Sequence, residues 1–283
     1  MMMNKGIGII DADLLDNGTR HPNLALMKIS GYYKDFGEKV TLLENYNDIS
    51  TYEKVFISKV FSYTKIPVDI SRIKNVIHGG TGFFPDGNGP LLELAIEHHM
   101  PDYHLYDEYI NLKKQNGWKR KDFFDYQNFS IGFTTRGCFR KCDFCVNKIF
   151  DKVIRHSPVS EFYDPGRFGI YLWDDNFLGY SGWEDILNDL ERTNKPFQFR
   201  QGLDIRLLTA KKAKKLLALK YYGDFIFAFD HIDDTPIIEN KLELWRSFTN
   251  KTTKLFVLCA YESQDLNDIK NTFARIHTLM KYG

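Results

Sequence analysis

At 283 residues and 43 % hydrophobic content, the chain is long enough for one large domain or two of moderate size and apolar enough to bury a core. Its net charge of +1 argues against a broad nucleic-acid-binding surface, while leaving room for a small basic pocket. No stretch approaches the roughly 20 apolar residues of a membrane helix. The opening MMMNKGIGIIDADLLDNG has neither a long apolar run nor a cleavage-site pattern, so a soluble, cytoplasmic protein without membrane partners is expected.

Along residues 1–100 the pattern alternates. Lys5–Asp11 reads as a strand, Leu24–Phe36 as a helix stopped by Gly37, and Val40–Leu43, Lys54–Phe61 and Asn75–His78 as further strands. Leu91–His98 reads as a short helix. Such alternation implies a parallel sheet with helical crossovers, a small Rossmann-like domain. Residues 101–128 are polar, aromatic and lysine-rich without a sustained period, and are expected to form a linker. Within it, Lys119, Arg120 and Lys121 read as a solvated face.

From residue 129 the alternation resumes. Strands are expected at Ser130–Thr135, Phe168–Trp173, Phe197–Leu203, Asp224–Phe229 and Lys254–Ala260, and helices at Trp183–Arg192, Ala210–Leu219, Ile237–Phe248 and Leu266–Lys281. This is a barrel-like α/β pattern. The run Lys211–Lys215 lies on a predicted helix and is expected to face solvent. The fold class is therefore α/β: a Rossmann-like domain over 1–100, a linker over 101–128, and a partial barrel of five to six strands over 129–283.

Three of the four cysteines lie within the segment TTRGCFRKCDFC at 134–145. Clustering of this kind, in a chain without a secretion signal, points to metal or redox chemistry rather than a disulfide framework. Cys138, Cys142 and Cys145 have C-x3-C-x2-C spacing, and soft thiolates on one short loop suit an iron–sulfur cluster or zinc. A structural zinc site takes four ligands. His156 is the nearest candidate for a fourth, without the paired knuckle such sites usually show. Three ligands leave one iron of a cubane open. The loop follows a predicted strand, at the end where parallel α/β barrels place their chemistry. Arg136, Arg140 and Lys141 read either as positive charge set beside an anionic cluster or a carboxylate, or as ordinary solvated loop residues. Cys259, alone in KLFVLCAY, reads as a small buried hydrophobe in a strand.

This cysteine motif after a first barrel strand resembles the signature of the radical S-adenosylmethionine (SAM) superfamily. CDFCVNK with RHSP at 155–158, LWDDNF at 172–177 and FRQGLDIRLL at 199–208 resemble the group that carries an N-terminal cobalamin-binding-type domain. The resemblance implies that Cys138, Cys142 and Cys145 hold a [4Fe-4S] cluster whose fourth iron binds SAM. It implies reductive cleavage to a 5′-deoxyadenosyl radical and an external electron donor such as a flavodoxin or ferredoxin. Phe144 matches the aromatic residue that precedes the last cysteine. Asp174, Asp175 and Asn176 stand where relatives hold the SAM ammonium, with a helix cap or turn as the alternative for Asn176 above all. Gln201, Asp204 and Arg206 surround the end of the third strand. Arg206 is a candidate for the SAM carboxylate or for a structural ion pair. Asp230 is a candidate for the ribose hydroxyls, and His231 reads as a plain polar residue.

The sequence departs from the family in two places. The family core commonly has six strand–helix units, and five are countable here, so a loop or partner covers the open side or closure is less complete. The first domain lacks the Asp-x-His-x-x-Gly motif of cobalamin ligation; His21 lies in a different context. The domain is read as degenerate, with HGGTG at 78–82 forming a tight turn. Cobalamin-dependent methylation is the alternative enzyme, and a non-catalytic protein with a structural zinc site is the alternative of another class. With no cysteine in the first domain, a second cluster there is disfavoured. The substrate stays open among nucleoside, nucleic acid, peptide and small metabolite. The aromatic residues Phe133, Trp173, Phe177, Phe199 and Phe227 near strand ends are expected to fill the core.

Overall fold

A computed structural model describes residues 6–19, 21–147, 149–261 and 263–282. The chain divides into two compact units, one of residues 1–130 with 161–167, the other of 131–160 with 168–283. No helix among the described residues is long and apolar enough to cross a membrane.

In the first unit, β1 (Ile7–Asp11) leads into α1 (Ala12–Asn17), then α2 (Leu24–Asp35), β2 (Val40–Leu42), β3 (Lys54–Ser58) and β4 (Val76–Gly79). The strands form one sheet in the order β2-β1-β3-β4, every neighbouring pair parallel. β1 is central and buried along its whole length, as its continuous apolar run dictates. Asp11 caps α1 through the Leu14 amide, and Asn23 caps α2 through the Leu26 amide.

Strand β3 stops at Ser58, short of the expected Phe61. The Asp13 carboxylate takes the Val60 and Phe61 amides at 2.6 and 3.3 Å, which turns the chain out of the sheet. The glycines after β4 form the expected tight turn. Gly80 has φ +99°, a Cβ there would strike the Lys59 carbonyl, and the Gly82 amide donates to that carbonyl at 2.9 Å. His21 faces Asp125 at 2.7 Å.

Residues 101–128, read from sequence as a linker, are part of this unit's core. They fold as α4 (Asp107–Gln115) and α5 (Phe124–Asn128), following the single-turn α3 (Leu94–Glu97) that is all of the helix expected at Leu91–His98. Tyr103, Leu105, Tyr106, Tyr109, Ile110, Phe123 and Tyr126 are buried in one cluster with Ile9, Leu26 and Met27. The absence of a clean period misleads here, because the burial is carried by tyrosines whose hydroxyls need partners. Tyr106 finds one in Asp11 at 2.8 Å, and Tyr126 in the Thr19 carbonyl at 2.9 Å.

The chain enters the second unit along β5 (Phe129–Gly132). There follow β6 (Thr135–Arg136), β7 (Ile154–Arg155), β8 (Gly169–Leu172), α6 (Trp183–Thr193), β9 (Phe197–Phe199), α7 (Ala210–Ala218), β10 (Phe225–Ala228), α8 (Thr235–Arg246), β11 (Thr253–Phe256) and α9 (Leu266–Met280). The expected alternation is present, but as small sheets. One has the order β5-β8-β9, one pairs β10 with β11 in parallel, and β6 pairs with β7 antiparallel. Isolated parallel bridges join Phe197 with Tyr221 and Leu203 with Phe227. The strand expected at Phe197–Leu203 ends at Phe199, and Gly202 beyond it sits at φ +88°. Phe177, Phe199 and Phe227 fill the core as expected, the first two stacked at 4.2 Å.

Candidate functional site

The cysteine loop is held from below by the strand-end acidic residues of β8. Asp174 is 1 % exposed and accepts from both the amide and the hydroxyl of Thr134 and of Thr135, at 2.6 to 3.2 Å. This capture ends β5 at Gly132 and redirects the chain into β6. The strand expected to run on to Thr135 is broken for that reason. Asp175 accepts the Gly137 amide at 2.6 Å. Gly137 has φ +92°, and a Cβ there would collide with the Lys152 carbonyl, so the turn into Cys138 requires glycine.

Asp174 and Asp175 therefore position the loop. Burial pushes the Asp174 carboxyl above its ordinary value, and the hydrogen bonds from Thr134 and Thr135 oppose that shift. Both oxygens of Asp174, the residue whose position in LWDDNF implied a place at a ligand ammonium, are engaged by the threonines of the loop.

Asn176 is placed differently. Its Nδ2 donates to the Cys138 sulfur at 3.2 Å, and its Oδ1 is buried without a hydrogen-bond partner. It begins a short 3-10 turn but makes no side-chain cap bond, so the capping alternative does not hold. A buried amide oxygen lacking a donor, beside a cysteine sulfur, is the kind of orphan a ligand satisfies.

The sulfurs receive further N–H groups. The Arg140 amide points to Cys138 Sγ and the Asn147 amide to Cys145 Sγ, each at 3.4 Å, while the Cys145 amide closes a turn onto the Cys142 carbonyl at 3.0 Å. Lys141 adopts φ +51° between them, uncommon for a residue with a side chain, and its ammonium reaches Asp151 at 2.5 Å. Burial pushes the Cys142 thiol up. Arg206 opposes this, and Cys145, Cys138 and Asp230 add to it.

The third-strand motif forms an ion network. Asp204 accepts from Arg140 Nε at 2.8 Å and from Arg206 Nε at 2.7 Å, and Arg206 also donates to Asp234 at 2.7 Å. Asp204 thus ties the cysteine loop to the turn after β9, and Arg206 forms the structural ion pair that was one of its two readings. Gln201 is exposed. Phe144 packs edge-on against Tyr261 at 5.5 Å and lies 6.1 Å from the His231 ring. Asp230 has its carboxyl raised by burial, with the Leu258 amide, His231, Arg206 and Arg275 opposing.

Two features escaped the sequence reading. Arg275, on α9 and 3 % exposed, donates to the carbonyls of Phe229, Asp230 and Leu258, bracing the ends of β10 and β11. An arginine in an otherwise amphipathic helix gave no signal of its own. Cys259, expected buried in a strand, is exposed in the loop after β11, because β11 ends at Phe256 and Arg275 draws the Leu258 carbonyl aside. His156 has Nδ1 3.0 Å from the Ser157 hydroxyl and its ring against Phe133.

Among the described residues no three or more His, Cys, Asp or Glu side chains are gathered as for a single metal ion. A multi-iron cluster distributes its thiolates over separate irons, which needs a wider spread than one tetrahedral ion. The donor set of three thiols, amides aimed at two of them and a nearby guanidinium suits such a cluster. No family model matches the chain, and no significant match is found among curated proteins or solved structures.

Proposed function

We propose that the chain is a radical SAM enzyme. Cys138, Cys142 and Cys145 would hold a [4Fe-4S] cluster, and the second unit would form a partial barrel around its substrate. When bound, the cluster would supply one electron to the SAM sulfonium, and scission of its C5′–S bond would release methionine and a 5′-deoxyadenosyl radical able to take hydrogen from the substrate.

The observation that carries this reading is Asn176. Its amide nitrogen lies on Cys138 and its carbonyl oxygen is buried and unsatisfied, so it offers a hydrogen-bond acceptor to an ammonium at the edge of the thiol loop. Asp174 and Asp175 fix the loop's backbone. Arg140 and Arg206, joined through Asp204, keep positive charge near an anionic cluster and a ligand carboxylate. The amides of Arg140 and Asn147 stabilise thiolate sulfur.

The test is anaerobic purification with iron and sulfide counting, then incubation with SAM and a strong reductant and mass-spectrometric detection of 5′-deoxyadenosine. About four irons per chain, and deoxyadenosine from the unmutated protein but not from the Cys138→Ala, Cys142→Ala, Cys145→Ala variant, support the reading. A colourless protein that leaves SAM intact after cluster reconstitution overturns it.

A further inference from the structure

Each outer cysteine of the loop is served by an asparagine. Asn176 donates its side-chain amide to Cys138 Sγ at 3.2 Å, and Asn147 donates its backbone amide to Cys145 Sγ at 3.4 Å. The side-chain nitrogen of Asn147, Nδ2, is buried and meets no hydrogen-bond acceptor among the described residues. Its neighbours turn the other way, Val146 being 59 % exposed and Ile149 51 %. An amide on an open loop ordinarily gives its donors to water, whereas this one holds a donor out of water beside a cysteine. A buried amide without an acceptor is costly to keep, and an acceptor from outside the chain explains keeping one.

Resting on the cluster reading above, we propose that Asn147 Nδ2 donates to a sulfur of the bound cluster and so sets its reduction potential. The two asparagines differ in what they have to offer. The spare atom of Asn176 is an acceptor, which suits an ammonium. The spare atom of Asn147 is a donor, which an ammonium repels and a thiolate or sulfide accepts. Reduction adds one negative charge to the cluster, and its sulfurs carry part of it. A donor on those sulfurs therefore stabilises the reduced form more than the oxidised form and raises the potential. The three thiols hold the irons, and this amide governs how readily they accept an electron.

Anaerobic redox titration of the reconstituted full chain, read by electron paramagnetic resonance of the reduced cluster without SAM, tests this on the parent, Asn147→Leu and Asn147→Asp. Leucine is close in volume and has no donor; aspartate keeps the shape and replaces the donor by oxygen. Iron content should match the parent in both. At the parent's midpoint potential, the ratio of reduced to oxidised cluster in Asn147→Leu should fall about tenfold, a shift of about 59 mV to more negative potential for one electron. Asn147→Asp should fall at least as far, and it decides the matter if Asn147→Leu alone loses iron. Potentials unmoved in both variants overturn the inference, as does loss of iron from both, which makes Asn147 part of the loop's scaffold. An unmoved potential with a raised SAM requirement assigns Nδ2 to the ligand carboxylate instead. A parent that takes up no cluster overturns the radical SAM reading and this inference together. A parent with about four irons whose variants titrate at its own potential overturns this inference alone.

Discussion

Two fully buried aspartates, Asp174 and Asp11, do different work in this chain. Asp174 is consumed by the threonines it organises. Asp174→Ala leaves two amides and two hydroxyls under the cysteine loop without an acceptor, at about 1–3 kcal/mol for each that stays dry. The expected outcome is a lower melting temperature together with loss of iron from anaerobically reconstituted protein. Asn176→Ala removes one donor and an acceptor that nothing among the described residues uses. Iron content should stay near that of the parent while the SAM concentration needed for half-maximal deoxyadenosine formation rises roughly 5- to 150-fold, the span of about 1–3 kcal/mol. Equal iron with unchanged SAM dependence would remove Asn176 from the ligand site.

Asp11 is shifted the same way as Asp174, by burial. Burial raises its carboxyl from 3.8 to about 6, with the Tyr106 hydroxyl and Leu14 amide restraining the rise. The folded state therefore holds this proton more tightly than the unfolded state. The stabilisation from protonation is complete below pH 3.8 and is lost as pH rises through 6. Roughly 3 kcal/mol is at stake. Asp11→Asn keeps an oxygen for the Leu14 amide and carries no charge. Its melting temperature relative to the parent should climb between pH 4.5 and 7.5, measured by calorimetry in matched buffers. A difference that stays flat with pH would mean that Asp11 stays charged and solvated.

At the scale of elements, the sequence was legible where local patterning decides and misleading where a distant side chain does. The helices Leu24–Asp35, Trp183–Thr193 and Ala210–Ala218 lie within a residue of their expected bounds, because their apolar spacing and the caps Asn23 and Thr209 are local signals. Strand ends are set from far away. Asp13 ends β3 and Asp174 ends β5, 40 residues or so from the backbone each one captures. The cysteine loop could be read from spacing alone; that Asp174 faces the loop and Asn176 the sulfur could not. The lysine run shows the same limit. Lys211 is solvated and paired with Glu184, but Lys212 turns inward to the carbonyls of Leu178 and Leu207.

Arg275 is the sharpest case. A single guanidinium satisfies carbonyls at the ends of two neighbouring strands and fixes the orientation of α9. Arg275→Met, similar in length and apolar, strands those carbonyls, and a loss of about 1–3 kcal/mol is expected for each one that stays dry. Chemical denaturation should show it as a lower midpoint at unchanged slope. A midpoint within experimental scatter of the parent would mean that water reaches those carbonyls and the brace is dispensable.

At the scale of the whole molecule, the first unit is discontinuous, and a seven-residue return segment helps complete it. Residues 161–167 rejoin residues 1–130 although the intervening chain belongs to the second unit. Most of the contacts they make satisfy backbone groups, and one is a side-chain pair. The Tyr103 hydroxyl donates to the Phe162 carbonyl at 2.6 Å, the Asp164 amide donates to Ser130 Oγ at 2.9 Å, and His98 meets Glu161 at 2.8 Å. Arg167, 7 % exposed, donates to the carbonyls of Tyr103, Tyr126 and Phe129 at 2.7 to 3.2 Å and stacks on the Tyr103 ring. The carbonyls of Tyr103 and Tyr126 belong to the stretch whose polar, aromatic composition reads as a linker, and this clamp is part of what makes that stretch core. A fragment of residues 1–130 alone should therefore lack a cooperative thermal transition. The same fragment continued through a short Gly–Ser linker into residues 161–167 should regain one, and Arg167→Ala in the joined version should lower its midpoint by several degrees or abolish it. A fragment of residues 1–130 that melts as sharply as the joined version would show the clamp to be an ornament on a unit that folds without it.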